Sequence, residues 1–553
     1  MKFNETLRAL LGALSVAAVF VFCLWALSGF GHRESRVEDA TKRGILLLSN
    51  GTEPEDLDPH LVTGIPEHNI ITSLIEGLVS EDLEDLHPVP GVAERWDISE
   101  DGTVYTFHLR SNALWSNGEP VTAQDFHNSF KRMLTPAMAS EYSYMLYSMK
   151  NAEPFNLGKI DDFSQVGARV IDERTLEITL ESPTPYFLSL LNHYTWFPVH
   201  LPTVAKYGPV TQRGNKWTRP ENFVGNGPFV LKEWRLNDVV IVEKSSTYWD
   251  AKNVGLNGIH FHAIDKEDTE ERSFRAGQLH NIYTMPQTKI ATYKRDYPHL
   301  LRIEPYAGTY FYRVNVNKPP TDNPLVRKAL IMAIDREAIV KNVTRGGQLP
   351  GLFFTPPGTA GYTARARISS DLEAARKLLA KAGYPNGEGF PKLEILYNTN
   401  EGHRNIAEAI QEMWKKSLNI DVVLVNQEWK VYLAAQRQLD YQVCRAGWIG
   451  DYVDPNTFLD MWTSWSQQNQ TGWSNAEYDG LIRKASRTQD MNARLEIFQQ
   501  AEAILLDEAP IIPIYIYTRV YALHPSVKGW RSNILDHHPY KYIRLDPSVF
   551  KNL

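Results

Sequence analysis

Cysteine is nearly absent from this chain, which has two cysteines in 553 residues. Cys23 lies in an apolar N-terminal segment, so the rest of the chain has one thiol, Cys444, and no internal disulfide. A chain of this length can be stabilised by its core alone, so the scarcity of cysteine does not decide the redox compartment. Cys444 alternates with apolar residues in DYQVCRAGW, which predicts a small buried strand residue rather than a nucleophile.

The chain also lacks a surplus of positive charge. It has 58 Lys and Arg residues against 65 Asp and Glu residues, a net charge of −7. A basic surface is what nucleic acids require, so the composition argues against a nucleic-acid partner. Tracts of like charge, low-complexity segments and internal repeats are missing too, and the composition is that of an ordinary globular protein.

Sequence motifs of catalysis are missing. The chain contains no G-x-x-x-x-G-K-[ST] phosphate loop, no G-x-S-x-G elbow and no H-E-x-x-H zinc helix. Two histidine pairs, His260 with His262 and His537 with His538, lack acidic or cysteine partners at metal-binding spacing. We therefore expect no catalytic activity, no metal and no cofactor, although the many carboxylates leave a secreted glycosidase or peptidase open.

The N-terminal residues 1–31 have the order of an export signal. Lys2 and Arg8 precede an apolar run, Ala9–Leu27, and small residues follow it. This order predicts a Sec signal peptide and a periplasmic product. The run is close to the roughly 20 residues that span a bilayer, so a retained membrane anchor is the alternative, with lipidation of Cys23 as a third possibility. No later segment is predicted to span a membrane.

The length predicts two or more lobes, because one core stops growing at roughly 250–300 residues. The second half alternates strands with helices, which predicts α/β architecture with a parallel sheet. LVRKALIMAIDREAIVKNV has helical spacing throughout, and Ser370-Asp-Leu-Glu373 is the pattern of a capping box, as is Thr122-Ala-Gln-Asp125. Three polar segments at or just past strand ends are expected to converge at one sheet edge, where ligands of such sheets bind: Asn398–His403, Gln427–Trp429 and Arg445–Asp451.

Arg445 and Asp451 form the most informative pattern, because opposite charges stand six residues apart among glycines and aromatic residues in CRAGWIGDYVDP. Two interpretations are open from the residues alone. The two side chains form an internal salt bridge, or they hold the two ends of a zwitterion.

Several long motifs resemble the dipeptide and oligopeptide solute-binding proteins of ABC importers. The clearest is GVAERWDISEDGTVYTFHLRSNALWSNGEPVTAQDFHNSFKR, and the resemblance continues in order through VGNGPFVLKEW, TYWDAKNV, NQEWKVYLAAQ and CRAGWIGDY. It covers nearly the whole chain after the leader. NQEWK and RAGWxxDYxxP are most similar to the oligopeptide and murein-peptide branch.

The resemblance implies a two-lobed periplasmic-binding-protein fold, class II-like, with a hinge between the lobes and an additional α+β domain. Lobe I would comprise 42–77, 201–307 and 519–553; the additional domain 78–200; and lobe II 308–518. The hinge would lie near Tyr306–Thr309 and Tyr517–Val520.

It also implies roles for individual residues. Asp451 matches the aspartate that binds a peptide's α-ammonium, while Arg445 and His403 match residues that meet its terminal carboxylate. The remaining implied peptide-binding residues pair with the peptide backbone or frame its side-chain pockets: Gly64, Ile65, Tyr142, Trp429, Gly447, Trp448 and Tyr517.

This chain departs from the family where relatives carry a lysine for one carboxylate position. Thr344 stands there, with Arg345 beside it as a candidate replacement. The implied partners are short peptides and the permease and ATPase subunits of an ABC importer, with the protein itself a monomer. Murein tripeptide, a dipeptide, haem or a nickel chelate remain alternative ligands.

Overall fold

The computed structural model describes residues 34–552, so the predicted signal peptide or anchor at 1–31 lies outside the described residues. Among the helices of the described range, none combines the length and the hydropathy that crossing a membrane requires.

Nineteen strands are found within residues 34–552. In chain order they are β1 Ile45–Ser49, β2 Val79–Glu81, β3 Pro88–Pro90, β4 Ala93–Ile98, β5 Val104–Leu109, β6 Ala168–Asp172, β7 Thr175–Thr179, β8 Phe229–Arg235, β9 Val239–Lys244, β10 Gly258–His262, β11 Asn281–Ile282, β12 Leu301–Val314, β13 Leu349–Pro350, β14 Leu393–Asn398, β15 Val422–Gln427, β16 Val443–Ile449, β17 Ile511–Leu523, β18 Val527–Lys528 and β19 Arg544–Leu545.

These strands form three substantial sheets. A four-stranded sheet has the order β1-β10-β9-β8, and an antiparallel four-stranded sheet, β4-β5-β7-β6, is built from the segment 93–179. The largest has seven strands in the order β11-β17-β12-β16-β14-β15, with β13 paired to β17. Its strands β12 and β17 are long and antiparallel, and their register shifts between Pro305 and Thr309.

The α-helices frame these sheets. They are α1 Arg36–Lys42, α2 Ile65–Leu74, α3 Ala123–Leu134, α4 Ala152–Asn156, α5 Phe187–Leu190, α6 Leu201–Lys206, α7 Glu267–Arg275, α8 Ile290–Asp296, α9 Pro324–Met332, α10 Arg336–Ala338, α11 Leu372–Lys381, α12 Glu401–Leu418, α13 Trp429–Arg437, α14 Asn456–Leu459, α15 Ala476–Ser486 and α16 Met491–Glu508.

The predicted strand–helix–strand unit is confirmed, because β14 pairs in parallel with both β15 and β16. The sheet as a whole is mixed, since β12 runs antiparallel to β16. Cys444 is fully buried in β16, as predicted.

Two local predictions needed correction and one was confirmed. Thr122 and Asp125 form the expected capping box before α3. At α11 the N-cap is Asp371, whose side chain accepts from the N–H of Ala374, while the Ser370 hydroxyl donates to the carbonyl of Ile334 instead. The continuous helix predicted around 325–343 is broken after α9, and residues Ile339–Thr344 form a π-helix.

Candidate functional site

A cavity of about 380 Å³ lies beside the C-terminal half of β16, within the size range of small-ligand sites. Its walls come from widely separated parts of the chain, from residue 50 to residue 537. Ten of the eleven predicted peptide-binding residues line it: Gly64, Ile65, Tyr142, His403, Trp429, Arg445, Gly447, Trp448, Asp451 and Tyr517. The three polar segments predicted to converge each contribute to this one cavity.

Asp451 follows the end of β16, and its carboxylate is surrounded by uncharged hydroxyl donors and a histidine. The Tyr142 hydroxyl donates to Oδ1 at 3.4 Å, the Thr457 hydroxyl donates to Oδ2 at 3.4 Å, and His193 Nε2 lies 3.4 Å from Oδ1. Burial and the adjacent Asp451 raise the pKa of Tyr142 well above its ordinary value, so the phenol stays protonated and can donate. The side chain of Asp451 is 11% exposed and has no Lys or Arg partner among residues 34–552.

Arg445 is the nearest cation in the sequence, but it does not pair with Asp451. Its Nη2 donates to the Tyr517 hydroxyl at 2.9 Å and its Nη1 to Asn398 Oδ1 at 3.3 Å, while the guanidinium carbon lies 4.9 Å from the centre of the Tyr310 ring. No carboxylate within the described chain lies at ion-pair distance, and Nε is buried without a partner. The internal salt bridge, one of the two interpretations of this motif, is therefore wrong.

His403 lies beside Arg445 in the first turn of α12. Asn400 caps this helix by accepting a hydrogen bond from the backbone N–H of His403 at 2.9 Å, and the imidazole packs 5.5 Å from the Tyr310 ring. Burial and the neighbouring Arg445 hold the pKa of His403 well below its ordinary value. The imidazole is therefore neutral at pH 7 and can donate one hydrogen bond, while Arg445 supplies the positive charge.

Strand β16 presents a free edge to the cavity. Gly450 donates its N–H to Ala307 at 2.9 Å, and Asn315 donates to Gln442 at 2.9 Å, so the even-numbered residues of β16 bond to β12. Backbone groups alternate in direction along an antiparallel strand, so those of Gly447 and Ile449 face away from β12. Strand β14 pairs with β16 only at Val443 and Cys444. Within the described residues, the polar groups of Gly447 and Ile449 are available to an added strand.

Glycine is required at position 447 for space. A Cβ there would lie 2.6 Å from the Tyr517 hydroxyl and 3.1 Å from Nη2 of Arg445. A side chain would therefore displace the groups that hold Arg445 in place.

The opposite wall begins at Gly64 and Ile65, the N-cap and first residue of α2. The Trp429 ring lies against Gly64, about 3.1 Å from where a Cβ would be. Arg437, at the other end of α13, donates to both carboxylate oxygens of Glu55 at 2.8 Å and to Glu141 at 2.6 Å. These contacts join α13 to the N-terminal part of the chain and enclose the cavity.

Arg345 is the one predicted site residue that the structure puts elsewhere. It has a positive φ of 57° after the π-helix, its side chain is exposed, and its Nε donates to the carbonyl of Asn342. Thr344 lines the cavity instead, and its hydroxyl donates to Gln348 at 2.9 Å. The candidate replacement of the lysine by Arg345 is therefore wrong in this structure.

The cavity residues missed by sequence reasoning include His193, Glu267 and Arg313. Each lies in a segment without a recognisable motif, and only the fold brings it to the cavity. The alternation of side chains along a strand would have predicted the face of the sheet on which Arg313 lies. It would not have predicted that Arg313 lacks a charged partner among residues 34–552.

The middle of the chain, residues 87–470, matches the family described as bacterial extracellular solute-binding proteins, family 5. An oligopeptide-binding protein of Bacillus subtilis is 36% identical over 93% of this chain and 96% of its own length. A Haemophilus influenzae protein of the same name, solved in complex with the peptide RPPGFSPFR, has a TM-score of 0.85 at 34% identity, over 91% of this chain and 99% of its own.

Similarity to one further relative distinguishes two conformations. The Escherichia coli murein tripeptide binding protein is 36% identical, over 91% of this chain and 98% of its own, and one of its structures has a TM-score of 0.86. Its unliganded open form, over the same coverage, has a TM-score of only 0.61. The arrangement of the present structure therefore differs from that open form and agrees with the peptide complex.

Proposed function

Because the chain belongs to family 5 of the bacterial extracellular solute-binding proteins, we propose that it is a receptor that encloses a short, extended peptide between its lobes and delivers it to an ABC importer. Its fold is the two-lobed α/β fold of this family with an additional α+β domain, as predicted. Arg445 and Asp451 carry the proposal, because both are partly buried in the lining of one cavity and they form no ion pair with each other.

The physical basis is that the protein binds both charged ends of a zwitterionic peptide. The carboxylate of Asp451 accepts the peptide's α-ammonium, and Arg445 donates to the terminal carboxylate with neutral His403 beside it. A hydrogen bond to a charged group contributes roughly 1.5–3 kcal/mol, whereas an exposed pair contributes roughly 0–1 kcal/mol. Because the cavity shields both contacts from solvent, each contributes more to affinity than an exposed ion pair would.

Backbone pairing explains how different peptides can be accepted. Gly447 and Ile449 offer the N–H and C=O groups of a free strand edge, to which an extended peptide adds as a further strand. Each such bond contributes about 0.5–1.5 kcal/mol and does not depend on the side chain. Tyr142, Trp429 and Trp448 then border the side-chain pockets.

The proposed lobes keep the predicted bounds, 42–77, 201–307 and 519–553 for lobe I, 78–200 for the additional domain and 308–518 for lobe II. The sheet order supports them, because β4 to β7 all belong to 78–200 and β14 to β16 all belong to 308–518. The register shift of β12 between Pro305 and Thr309 supports a hinge at that point. The partners would be the permease and ATPase subunits of the importer, with a monomeric receptor exported to the periplasm that returns its peptide intact.

The test compares trialanine with N-acetyl-trialanine by titration calorimetry, using the wild-type protein and Asp451→Ala. The wild type should bind the free peptide more tightly, and the variant should lose about 1.5–3 kcal/mol for the free peptide and little for the acetylated one. Arg345→Ala, at an exposed site outside the cavity, is the control and should change neither affinity. Equal losses for both peptides in Asp451→Ala would remove Asp451 from this role, and cleavage of either peptide would indicate a hydrolase.

A further inference from the structure

Arg313 is one of three arginines that line the cavity, the others being Arg445 and Arg519. Arg519 forms an ion pair with Asp536. Arg313 lies in β12 directly opposite Cys444, is 5% exposed and contributes to the cavity wall. Residues directly opposite in a sheet share a face, and neighbours along a strand point to opposite faces. Arg313 therefore lies on the face of Ala446 and Trp448, whereas Arg445 lies on the other face of β16.

The guanidinium of Arg313 has little compensation for its burial. Its Nη2 donates to the carbonyl of Gln468 at 2.9 Å, and Nε is buried without a partner. Nε2 of Gln468, which also lines the cavity, is a second buried donor without a partner. Among residues 34–552 no carboxylate lies within ion-pair distance of Arg313.

Arginines that are buried elsewhere in this chain without a carboxylate bond to backbone carbonyls instead. Arg336 donates to the carbonyls of Pro513, Ile331 and Ile334, and Arg327 donates to three carbonyls through four bonds. A buried charge is costly unless it is paired or hydrogen-bonded. Arg327 and Arg336 each have three carbonyl acceptors, although Nη2 of Arg336 is without a partner, whereas Arg313 has one acceptor.

Neither Asp451 nor Asp460 forms an ion pair with Arg313. Asp451 accepts from Tyr142 and Thr457 and is assigned to the peptide's ammonium group. Asp460 accepts through Oδ2 from Asn456 at 2.8 Å and from Tyr452 at 3.4 Å, and its Oδ1 is buried without a partner. Once a zwitterionic peptide has used Asp451 and Arg445 for its two ends, Arg313 is the cavity cation that remains without an anion.

We propose, on the basis of the proposed function, that Arg313 and Gln468 form a subsite for an acidic side chain of the bound peptide, on the Ala446–Trp448 face of β16. The terminal carboxylate binds Arg445 on the other face, so the two anionic groups of one peptide are held separately. The receptor then favours peptides with an aspartate, a glutamate or a similar carboxylate at one internal position.

The test uses tetra-alanine in which each internal position in turn is replaced by Glu or by Gln, with titration calorimetry on the full chain. At one internal position the Glu peptide should bind the wild type about tenfold or more tightly than the Gln peptide, because a charge-assisted bond replaces a neutral one. In Arg313→Met the ratio of Glu-peptide to Gln-peptide affinity should fall to about one, because both peptides then meet an uncharged side chain. Arg313→Lys retains the charge and should keep part of the preference.

Two results would overturn the subsite. One is a wild type that shows no preference for Glu over Gln at either internal position, which is decisive even if Arg313→Met does not fold. The other is a preference that survives unchanged in Arg313→Met. If tetra-alanine and trialanine both fail to bind the wild type, the proposed function itself fails, so the two failures are distinguishable.

Discussion

Two aspartates three residues apart, Asp454 and Asp451, have opposite relations to arginine. Asp454 forms a two-point ion pair with Arg494, with both N–O distances at 2.7 Å and side chains only 4% and 1% exposed. Asp451 has hydroxyl donors and a histidine around it, and Arg445 makes no ion pair with any residue of 34–552. The same residue types are thus neutralised in one place and left apart in the other.

The difference separates what folding requires from what binding requires. A buried charge without a counterion is unfavourable, so a chain that gained nothing from such a charge would pair it or replace it. Asp454 and Arg494 neutralise each other within the folded chain. In the proposed function, Asp451 and Arg445 are instead neutralised by a ligand that carries both charges.

The largest expected effect comes from breaking the completed pair. Asp454→Ala leaves Arg494 buried without a counterion, which should lower the free energy of unfolding by about 3–5 kcal/mol. Asp451→Asn should change it by less than about 1 kcal/mol, because no charged partner is left behind. Urea unfolding of both variants measures the two values. Similar losses in the two variants would mean that Asp451 is also a structural residue.

A smaller effect is expected on affinity when Arg445 is replaced. Arg445→Ala should weaken binding by about 1.5–3 kcal/mol for peptides whose carboxylate reaches it, and less for others, because its position along β16 is fixed. Titration calorimetry with a series from dialanine to penta-alanine measures this dependence on length. The unfolding free energy should stay near the wild-type value. A uniform loss over all lengths would instead indicate a general structural role.

The sequence alone predicted those features that depend on residues close together along the chain. The sequence pattern predicted alternating strands and helices in the second half of the chain, and the rule that ligands bind at the carboxyl ends of strands placed Asn398–His403 and Arg445–Asp451 at one cavity. The resemblance to the family supplied the roles that periodicity cannot give.

What could not be predicted depends on tertiary contacts. Arg345 follows Thr344 in the sequence, but the positive φ at the end of the π-helix turns it to solvent. Arg313 and Cys444 are 131 positions apart, yet the register of β12 against β16 makes them neighbours. Contacts between residues so far apart leave no periodic pattern in the sequence. Neither the exposure of the Arg345 side chain nor the lack of a counterion for Arg313 among residues 34–552 could therefore be predicted.

The smallest expected effect concerns Glu267, a buried carboxyl group in the cavity lining. It has no arginine partner among residues 34–552, and no group of the peptide is assigned to it. Its carboxylate accepts from Asn400 at 2.8 Å, at the start of α12, and lines the cavity; no cation of the described residues pairs with it. Burial raises its pKa to about 7, so the proton itself neutralises this group over part of the physiological range. Asp454 is thus compensated by a cation and Glu267 by a proton, whereas a peptide's ammonium group is the proposed partner of Asp451.

The sign of the resulting pH dependence follows from the direction of the shift. A carboxyl with a raised pKa contributes stability below its unfolded pKa, and this contribution is lost as the pH rises towards 7 and beyond. Buried histidines have the opposite pH dependence, because burial lowers the pKa of His60 and His524 to about 4. Their contribution to stability is lost as the pH falls. The difference in the free energy of unfolding between wild type and Glu267→Gln isolates the contribution of this one group. Between pH 6 and pH 8 the free energy of unfolding of the variant should rise relative to that of the wild type, by at most about 1.4 kcal/mol per pH unit. Urea unfolding over this range measures it, with Glu388→Gln at an exposed site as control, and a difference that does not change with pH would show that Glu267 is ionised throughout.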